Sequence, residues 1–181
     1  MKFELYNIET APEGSKALLK NSIKTFGMIP NLHAVLAESP QTLEAYQLLH
    51  GLFQQSSFNE EELTVVWQTI NVEHECHYCV PAHTAIANMM KVDEAITHAL
   101  REQNPLQDPK LQVLHQTTLA LVRNRGHLTE EQHSAFIDAG YERRQLLEII
   151  LGISQKVISN YVNHQADTPV DKPFQKFLWK K

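Results

Sequence analysis

The chain has 181 residues, of which 43% are hydrophobic and 20% charged, and its formal net charge is -5. This length and composition predict one globular domain, and the negative charge gives no electrostatic basis for binding nucleic acid or an anionic membrane surface. No apolar run approaches the about 20 residues that span a bilayer, and the N-terminus lacks the basic and then apolar order of a signal peptide. We therefore expect a cytoplasmic protein that binds neither nucleic acid nor membrane.

The first half of the chain predicts helices joined by short turns. Residues 1–12 are expected to be extended. Apolar residues then recur at helical spacing in four segments, over residues 13–26, 31–36, 40–54 and 60–71. Two of these helices have clear starts. Ser39 precedes Pro40 as an N-cap before a proline at the first helical position, and Asn59 with Glu62 can form a capping box.

Helical spacing continues in the second half of the chain. It predicts helices over residues 79–90, 92–101, 110–123, 129–139 and 142–164, followed by a short helix or tail that contains Phe174, Phe177 and Trp179. Thr129 and Gln132 can form a second capping box, and Gly140 is typical of a residue that ends a helix. Because no segment alternates apolar and polar residues as a strand does, we predict an all-α fold over residues 1–181.

The predicted helix over residues 142–164 is apolar around most of its circumference. This pattern predicts burial on several sides, either at the centre of the domain or at a subunit interface. Residues 62–71 and 144–160 have similar apolar content, and each leads into a polar segment that contains histidine. The sequence therefore indicates an internal repeat whose second copy has no thiols.

Both cysteines of the chain lie in residues 73–83, in the pattern Cys-x-x-Cys-x-x-x-His formed by Cys76, Cys79 and His83. Pro81 is tolerated only in the first turn of a helix, so the next helix should begin near Cys79. The positive end of a helix favours a thiolate. Cys79 and His83 share a helix face, where the imidazole can accept the thiol proton or stabilise the anion. The pattern indicates a redox-active dithiol.

Other interpretations of the cysteines compete with the dithiol. Buried hydrophobic cysteines are disfavoured by the surrounding histidines and acids, and a structural disulfide by a chain long enough to form its own core. Zinc is the strongest rival, with Cys76, Cys79 and His83 as ligands and either His74 or His77 as the fourth. A usual zinc module has a second, distant ligand pair, and no second Cys pair is visible. We therefore predict neither a metal nor a cofactor.

The segment from Cys76 to His83 resembles the Cys-x-Tyr-Cys-x-x-x-His signature of the alkylhydroperoxidase D-like and carboxymuconolactone decarboxylase-like families. Residues 30–40 and 160–171 resemble the uncharacterised peroxidase-related subgroup. The resemblance implies an alkylhydroperoxidase D-like helical fold, a homo-oligomer (dimer, trimer or hexamer) and peroxide reduction by a dithiol. It implies Cys79 as the attacking thiol, Cys76 as the resolving thiol and His83 as part of a proton relay. Decarboxylases in the family lack the cysteine pair.

One position departs from the family pattern. The family's relay usually includes a Glu twelve residues before the first cysteine, and that position is Thr64. Glu62 would face about 200° away round the helix. Glu73 is our candidate for the missing carboxylate, and Glu75 and Glu148 are further candidates. The competing interpretation of Glu73 and Glu75 is that they are solvated acids near a helix end.

These observations predict a thiol-dependent peroxidase for antioxidant defence, acting on an alkyl hydroperoxide. A thiolate at Cys79 would become a sulfenic acid, Cys76 would condense with it, and a dithiol reductant protein or a small thiol would reset the pair. Tyr78 would shape the pocket or donate a hydrogen bond, and His77 could lower the Cys79 pKa. The alternative is a metal-binding or redox-sensing helical oligomer without substantial turnover, or an oligomer whose dithiol is vestigial.

Overall fold

The computed structural model describes residues 2–180, so Met1 and Lys181, the ends of the predicted domain, lie outside the described residues. Within that range the chain forms nine α-helices and one 3-10 helix, with no strand. The helices are α1 (Glu13–Phe26), α2 (Asn31–Leu36), α3 (Pro40–Gln54), α4 (Glu60–Glu73), α5 (Cys79–Met89), α6 (Glu94–Arg101), α7 (Pro109–Arg123), α8 (Glu130–Asp138), α9 (Arg143–Ala166) and the 3-10 helix Lys172–Phe177. The all-α prediction is confirmed.

The predicted helix starts are also confirmed by their capping bonds. The Ser39 side chain accepts a hydrogen bond from the Thr42 amide at the start of α3. Asn59 and Glu62 form both bonds of a capping box at the start of α4, and α8 begins with the same motif. These caps accept hydrogen bonds from amides in the first turn, which have no carbonyl of a preceding turn to bind. Local chemistry is therefore enough to define where these helices begin.

Helix α4 is the central element of the fold. Every residue from Glu62 to Val72 is buried, and the helix packs against α5, α6, α7 and α9. Its buried polar residues are hydrogen-bonded, as burial requires. Gln68 donates to the carbonyl of Val80 at 3.1 Å and to the hydroxyl of Thr84 at 3.0 Å. These two bonds attach the start of α5 to α4, and so hold the cysteine segment against the core.

Helix α9 is not buried on all sides within a single chain, so its predicted burial at the domain centre is not observed and burial at a subunit interface stays a prediction. Within this chain its apolar residues Leu147, Ile150 and Tyr161 are exposed. Its buried side instead contains polar residues, including Lys156 and Asn163. The reason is chemical, because this side of α9 faces the thiols, and the side chains that contact them are donors and a cation.

Two clusters of buried apolar residues make up the core. One surrounds Trp67 of α4 and extends to α7 and α8. The other includes both cysteines and residues from α1, α2 and α3. The 3-10 helix packs on α5, so the C-terminal segment covers the same region. None of the described helices is long and apolar enough to cross a membrane.

Candidate active site

The cysteine motif occupies the tight connection between α4 and α5. The Cys76 amide donates to the carbonyl of Asn71 at 3.0 Å, and the Val80 amide donates to the carbonyl of Cys76 at 3.1 Å. Cys79 is the first residue of α5, and Pro81 lies in its first turn. The predicted helix start is therefore confirmed, and Cys79 sits at the positive end of the α5 dipole.

Both thiols are free and buried, with 0% of Cys76 and 2% of Cys79 exposed. The Cys79 amide donates to the Cys76 sulfur at 3.3 Å. The side-chain amide of Asn163, from α9, donates to the Cys79 sulfur at 3.2 Å and lies 3.9 Å from the Cys76 sulfur. Donors directed at sulfur stabilise a thiolate relative to a thiol.

A buried lysine lies beside the thiols. Lys156 of α9 is 0% exposed, and its Nζ is 2.9 Å from Nε2 of His83. A buried ammonium is costly unless an anion compensates it. In the part of the chain that the structure describes, the cysteines are the acidic groups whose negative charge supports the ammonium, although burial still leaves the pKa of Lys156 below its ordinary value.

The two cysteines are driven to opposite protonation states. Burial raises the pKa of Cys79, but the hydrogen bond with Cys76 and the positive charge of Lys156 outweigh burial, so this pKa lies below that of an ordinary thiol. The hydrogen bond with Cys79, together with burial, raises the pKa of Cys76. The arrangement favours a thiolate at Cys79 with a neutral thiol at Cys76, which are the states that an attacking and a resolving cysteine need.

His83 contacts the thiols through Lys156 rather than directly. Burial, followed by the positive charge of Lys156, holds the pKa of His83 well below its ordinary value, so the ring is neutral. If the Lys156 ammonium donates to Nε2, the ring hydrogen is on Nδ1. That Nδ1 is buried without a partner. A buried donor without an acceptor costs about 1–3 kcal/mol, so an oxygen atom of a ligand or water would stabilise the site.

Cys79, His83 and Lys156 line a cavity of about 80 Å³. The rest of its wall is mostly apolar or aromatic and comes from α1, α2, α3, α5 and the C-terminal segment, including Phe26, Leu32, Tyr46, Met89 and Phe174. Cys76 does not line this cavity. A small molecule that enters it therefore meets a wall to which Cys79, His83 and Lys156 all contribute.

Tyr78 has a structural position at the edge of the cavity. Its hydroxyl donates to Asp171 at 2.5 Å and accepts from the Leu32 amide at 3.3 Å. Burial and the negative charge of Asp171 hold its pKa well above the ordinary value. Asp171 also accepts from the Asn31 amide at 3.1 Å. Of the two roles predicted for Tyr78, shaping the pocket fits these contacts, because its hydroxyl is already engaged with the protein.

The other histidines of the motif are hydrogen-bonded to residues other than the cysteines. His74 is bonded through Nδ1 to Asn160 at 2.8 Å, and His77 is bonded through Nε2 to the carbonyl of Thr168 at 3.0 Å. Among residues 2–180 no group of three or more His, Cys, Asp or Glu residues is arranged to hold a metal ion. The rival zinc set of two cysteines, His83 and one of these histidines is therefore not assembled.

The structure does not bring the candidate carboxylates to the cavity. Glu73 forms two bonds of 2.8 Å with Arg123, and Glu148 is bonded to Ser57 and Arg144. Neither lines the cavity. The Thr64 hydroxyl donates to the carbonyl of its own preceding turn. The ionisable side chain hydrogen-bonded to His83 is instead Lys156.

Lys156 and Asn163 are the residues that sequence reasoning missed. One signal was present, because Lys156 is the only Asp, Glu, Lys or Arg in residues 149–163. A lone charge inside an apolar helix is costly to bury and is more often functional or paired than incidental. Asn163 carried no comparable signal, because an asparagine near a helix end usually has a local role.

Comparison with known proteins rests on structure. No protein-family model matches the sequence, and no curated protein matches it significantly. The chain is similar to an alkylhydroperoxidase AhpD core structure, an uncharacterized peroxidase-related protein from Ralstonia eutropha JMP134, with a TM-score of 0.84 and 15% identity over 96% of this chain and 93% of that one.

Two further structures support the same fold. An uncharacterized peroxidase-related protein from Silicibacter sp. TM1040 has a TM-score of 0.79 and 16% identity, covering 96% of this chain and 92% of that one. The debrominase Bmp8 in complex with 2,3,4-tribromopyrrole has a TM-score of 0.75 and 14% identity, covering 97% of this chain and 94% of that one. At these identities the comparisons show a shared fold.

Proposed function

From the alkylhydroperoxidase D-like helical fold of this chain, we propose that it is a thiol-dependent peroxidase that reduces organic hydroperoxides. One observation carries the proposal. Cys79 and the buried Lys156 line the same small cavity, and the Cys79 amide donates to the sulfur of the second cysteine, Cys76. A stabilised thiolate, an acid and a resolving thiol are the groups that peroxide reduction requires.

In the first step the Cys79 thiolate attacks one oxygen of the hydroperoxide. The new S–O bond forms as the O–O bond breaks, the sulfur becomes a sulfenic acid, and the departing alkoxide takes a proton from Lys156 to leave as an alcohol. The Nδ1 hydrogen of His83 supports a hydrogen bond to a peroxide oxygen. In place of the base predicted from sequence, His83 here orients Lys156 and donates to the substrate.

The Cys76 thiol then attacks the sulfenic sulfur of Cys79. A disulfide forms, and the departing hydroxyl takes the Cys76 proton and leaves as water. The first step has already consumed the thiolate charge that supports the Lys156 ammonium, which is consistent with a neutral amine from that step onward. The raised pKa of Cys76 keeps its proton available for the leaving oxygen.

Two thiols from a reductant return the disulfide to its starting state by exchange. Cys79 is the better leaving group of the pair, because a thiol with a lower pKa leaves faster. Lys156 regains its proton as the Cys79 thiolate reforms. A dithiol reductant protein or a small thiol supplies the two electrons, and the setting we propose is antioxidant defence in the cytoplasm by a homo-oligomer. Glu73 has no step in this mechanism.

A second candidate is reductive dehalogenation of a small halogenated ring, with the two thiols supplying two electrons. The observation that favours it is the aromatic wall of the cavity, which includes Phe26, His33, Tyr46 and His50. A flat apolar ring packs well against such a wall. The structurally similar debrominase was solved with a halogenated pyrrole, so the two activities are tested side by side.

The experiment mixes pre-reduced protein with tert-butyl hydroperoxide and counts free thiols over time, beside the variants Cys76→Ser and Cys79→Ser. We expect rapid loss of both thiols in the unmodified chain, and a trapped sulfenic acid in Cys76→Ser alone. A sulfenic acid in Cys79→Ser alone would reverse the two roles. Thiol loss no faster than that of a free thiol would overturn the peroxidase proposal, and thiol loss with tribromopyrrole alone would support dehalogenation.

A further inference from the structure

The C-terminal segment, residues 168–179, is fastened to the domain at both ends. At its start Asp171 accepts hydrogen bonds from the Tyr78 hydroxyl and the Asn31 amide. At its end the Arg101 guanidinium donates to the carbonyls of Phe177 at 2.9 Å and Leu178 at 3.2 Å. The Trp179 ring N–H donates back to the carbonyl of Arg101 at 3.2 Å. The backbone between these anchors is therefore held in one position.

Phe174 lies between the two anchors and forms part of the cavity wall. Its amide donates to the carbonyl of Asp171 at 2.9 Å, which ties it to the first anchor. Its ring packs against the buried cluster that contains both cysteines. Phe177, one turn later on the same 3-10 helix, does not line the cavity. The segment thus contributes a single large side chain to the space in front of Cys79.

Another part of the wall is apolar and reaches the surface. Phe26 is 42% exposed and Met89 is 71% exposed, although both line the cavity. An unbranched thioether adapts its shape to different ligands, whereas a phenyl ring on an anchored backbone does not. Phe174 is therefore the rigid boundary of the cavity, and the side with Phe26 and Met89 is its open and adaptable boundary.

The size of the cavity limits what can occupy it. A cavity of about 150 Å³ with apolar walls holds benzene, and this one measures about 80 Å³. A cumyl group carries a phenyl ring where a tert-butyl group carries a methyl, so the cumyl group has to displace more of the wall.

We propose that Phe174 determines substrate size, so that the preferred substrates are hydroperoxides of small branched alkyl groups rather than of aryl groups. This inference rests on the proposed peroxidase function. The alkyl group would lie between Phe174 and the side of the cavity with Phe26 and Met89, with its oxygens toward Cys79. Hydrogen peroxide has no alkyl group, so its binding would bury no apolar surface against this wall and would lack the free energy that such burial provides.

The test compares kcat/KM for tert-butyl hydroperoxide and cumene hydroperoxide in the unmodified chain, Phe174→Ala, Phe174→Trp and the matched control Phe177→Ala. We expect Phe174→Ala to raise the cumene-to-tert-butyl ratio by about tenfold or more, since single methylenes in such pockets change rates by that factor. Phe174→Trp should lower both values, and Phe177→Ala should leave the ratio unchanged. An unchanged ratio in Phe174→Ala, or an equal change in Phe177→Ala, would overturn the proposal.

A second readout does not depend on peroxidase activity. In a Cys76→Ser background Cys79 is the only thiol, because the chain has two cysteines. The rates of its alkylation by iodoacetamide and by N-phenylmaleimide report access for a small and a bulky reagent. We expect Phe174→Ala to speed the bulky reagent selectively. If no variant turns over either peroxide but this selective effect remains, the peroxidase function fails while the size boundary at Phe174 stands. Equal acceleration of both reagents would contradict it.

Discussion

At the scale of single residues, the chemistry depends on a lysine that compensates a thiolate. Lys156 and Cys79 are both buried, and neither charge is stable there alone. Together they form a pair in which each supports the charged form of the other. This pairing explains how His83 can stay neutral in this site, since the positive charge that the imidazole was predicted to supply is already present on Lys156.

Replacing Lys156 with Met should raise the pKa of Cys79, because burial then acts without the opposing positive charge. The midpoint of the Cys79 alkylation rate against pH should move up with the pKa, and the rate at pH 7 should fall by about tenfold for each unit by which the pKa comes to exceed 7. In the unmodified chain this rate should stay high well below about pH 8.5, the pKa of an ordinary thiol, and should decline only where the thiolate is protonated.

The matched control for this substitution is Lys110→Met, which removes a lysine that pairs with Glu62 at 3.2 Å, away from the cavity. Its alkylation profile should match that of the unmodified chain. Unfolding curves of both variants show whether the fold persists and whether its stability has changed. This control is needed because removing a buried ion can itself change stability, and can even increase it. Identical pH profiles in Lys156→Met and the unmodified chain would exclude the ion pair.

At the scale of helices, the site depends on the close approach of α9 to α3 and α4. Gly152 of α9 makes this approach possible. A Cβ atom at this position would lie 2.9 Å from the ring of Phe53 and 3.2 Å from the Val66 side chain. Because both neighbours are packed in the core, the helices would have to separate, and Lys156, one turn along α9, would move with them.

Gly152→Ala should therefore destabilise the protein by about 1–3 kcal/mol, the usual cost of overpacking, despite the better helix propensity of alanine. Gly51→Ala, in α3, is the matched control, because no atom lies within 4 Å of its added Cβ. That substitution should stabilise the protein by about 0.5–1 kcal/mol. Chemical denaturation measures both, and a stabilising Gly152→Ala would contradict the proposed close packing.

At the scale of the whole molecule, several imidazoles are buried without charge. Burial lowers the pKa of His33 from 6.5 to about 4 and that of His50 from 6.5 to about 3. The unfolded chain binds protons at these groups at a higher pH than the folded chain does. The contribution of these histidines to folding stability is therefore fully present above about pH 6.5, and it is lost as the pH drops toward the folded-state pKa values.

The His33→Asn variant should show a shallower loss of stability between about pH 6.5 and pH 4. Each buried neutral histidine contributes at most about 1.4 kcal/mol per pH unit to this slope. Asparagine is chosen because it keeps a polar partner for the Ser22 hydroxyl, which lies 2.8 Å from Nδ1 of His33. Unfolding free energies across this pH range measure the slope. His98→Asn, at an exposed position, should leave it unchanged, and equal slopes in all three proteins would refute the assignment.

The sequence was informative wherever structure is local. Caps at Ser39, Asn59 and Thr129 predicted helix starts because a cap contacts an amide only two or three residues away. The same applies to Cys79, whose position at a helix start follows from Pro81 two residues later. The spacing of Cys76, Cys79 and His83 also indicated the redox chemistry that we propose, since it depends on a single turn and a single helix face.

The sequence by itself determined the helices, their order and the presence of a dithiol at a helix start. Only the tertiary structure decided which groups surround that dithiol. Lys156 contacts His83 across 73 residues of sequence, Asn163 contacts Cys79 across 84, and Asp171 contacts Tyr78 across 93. Such contacts depend on how whole helices pack, which no local pattern encodes, because periodicity specifies the buried face of a helix but not the element that covers it.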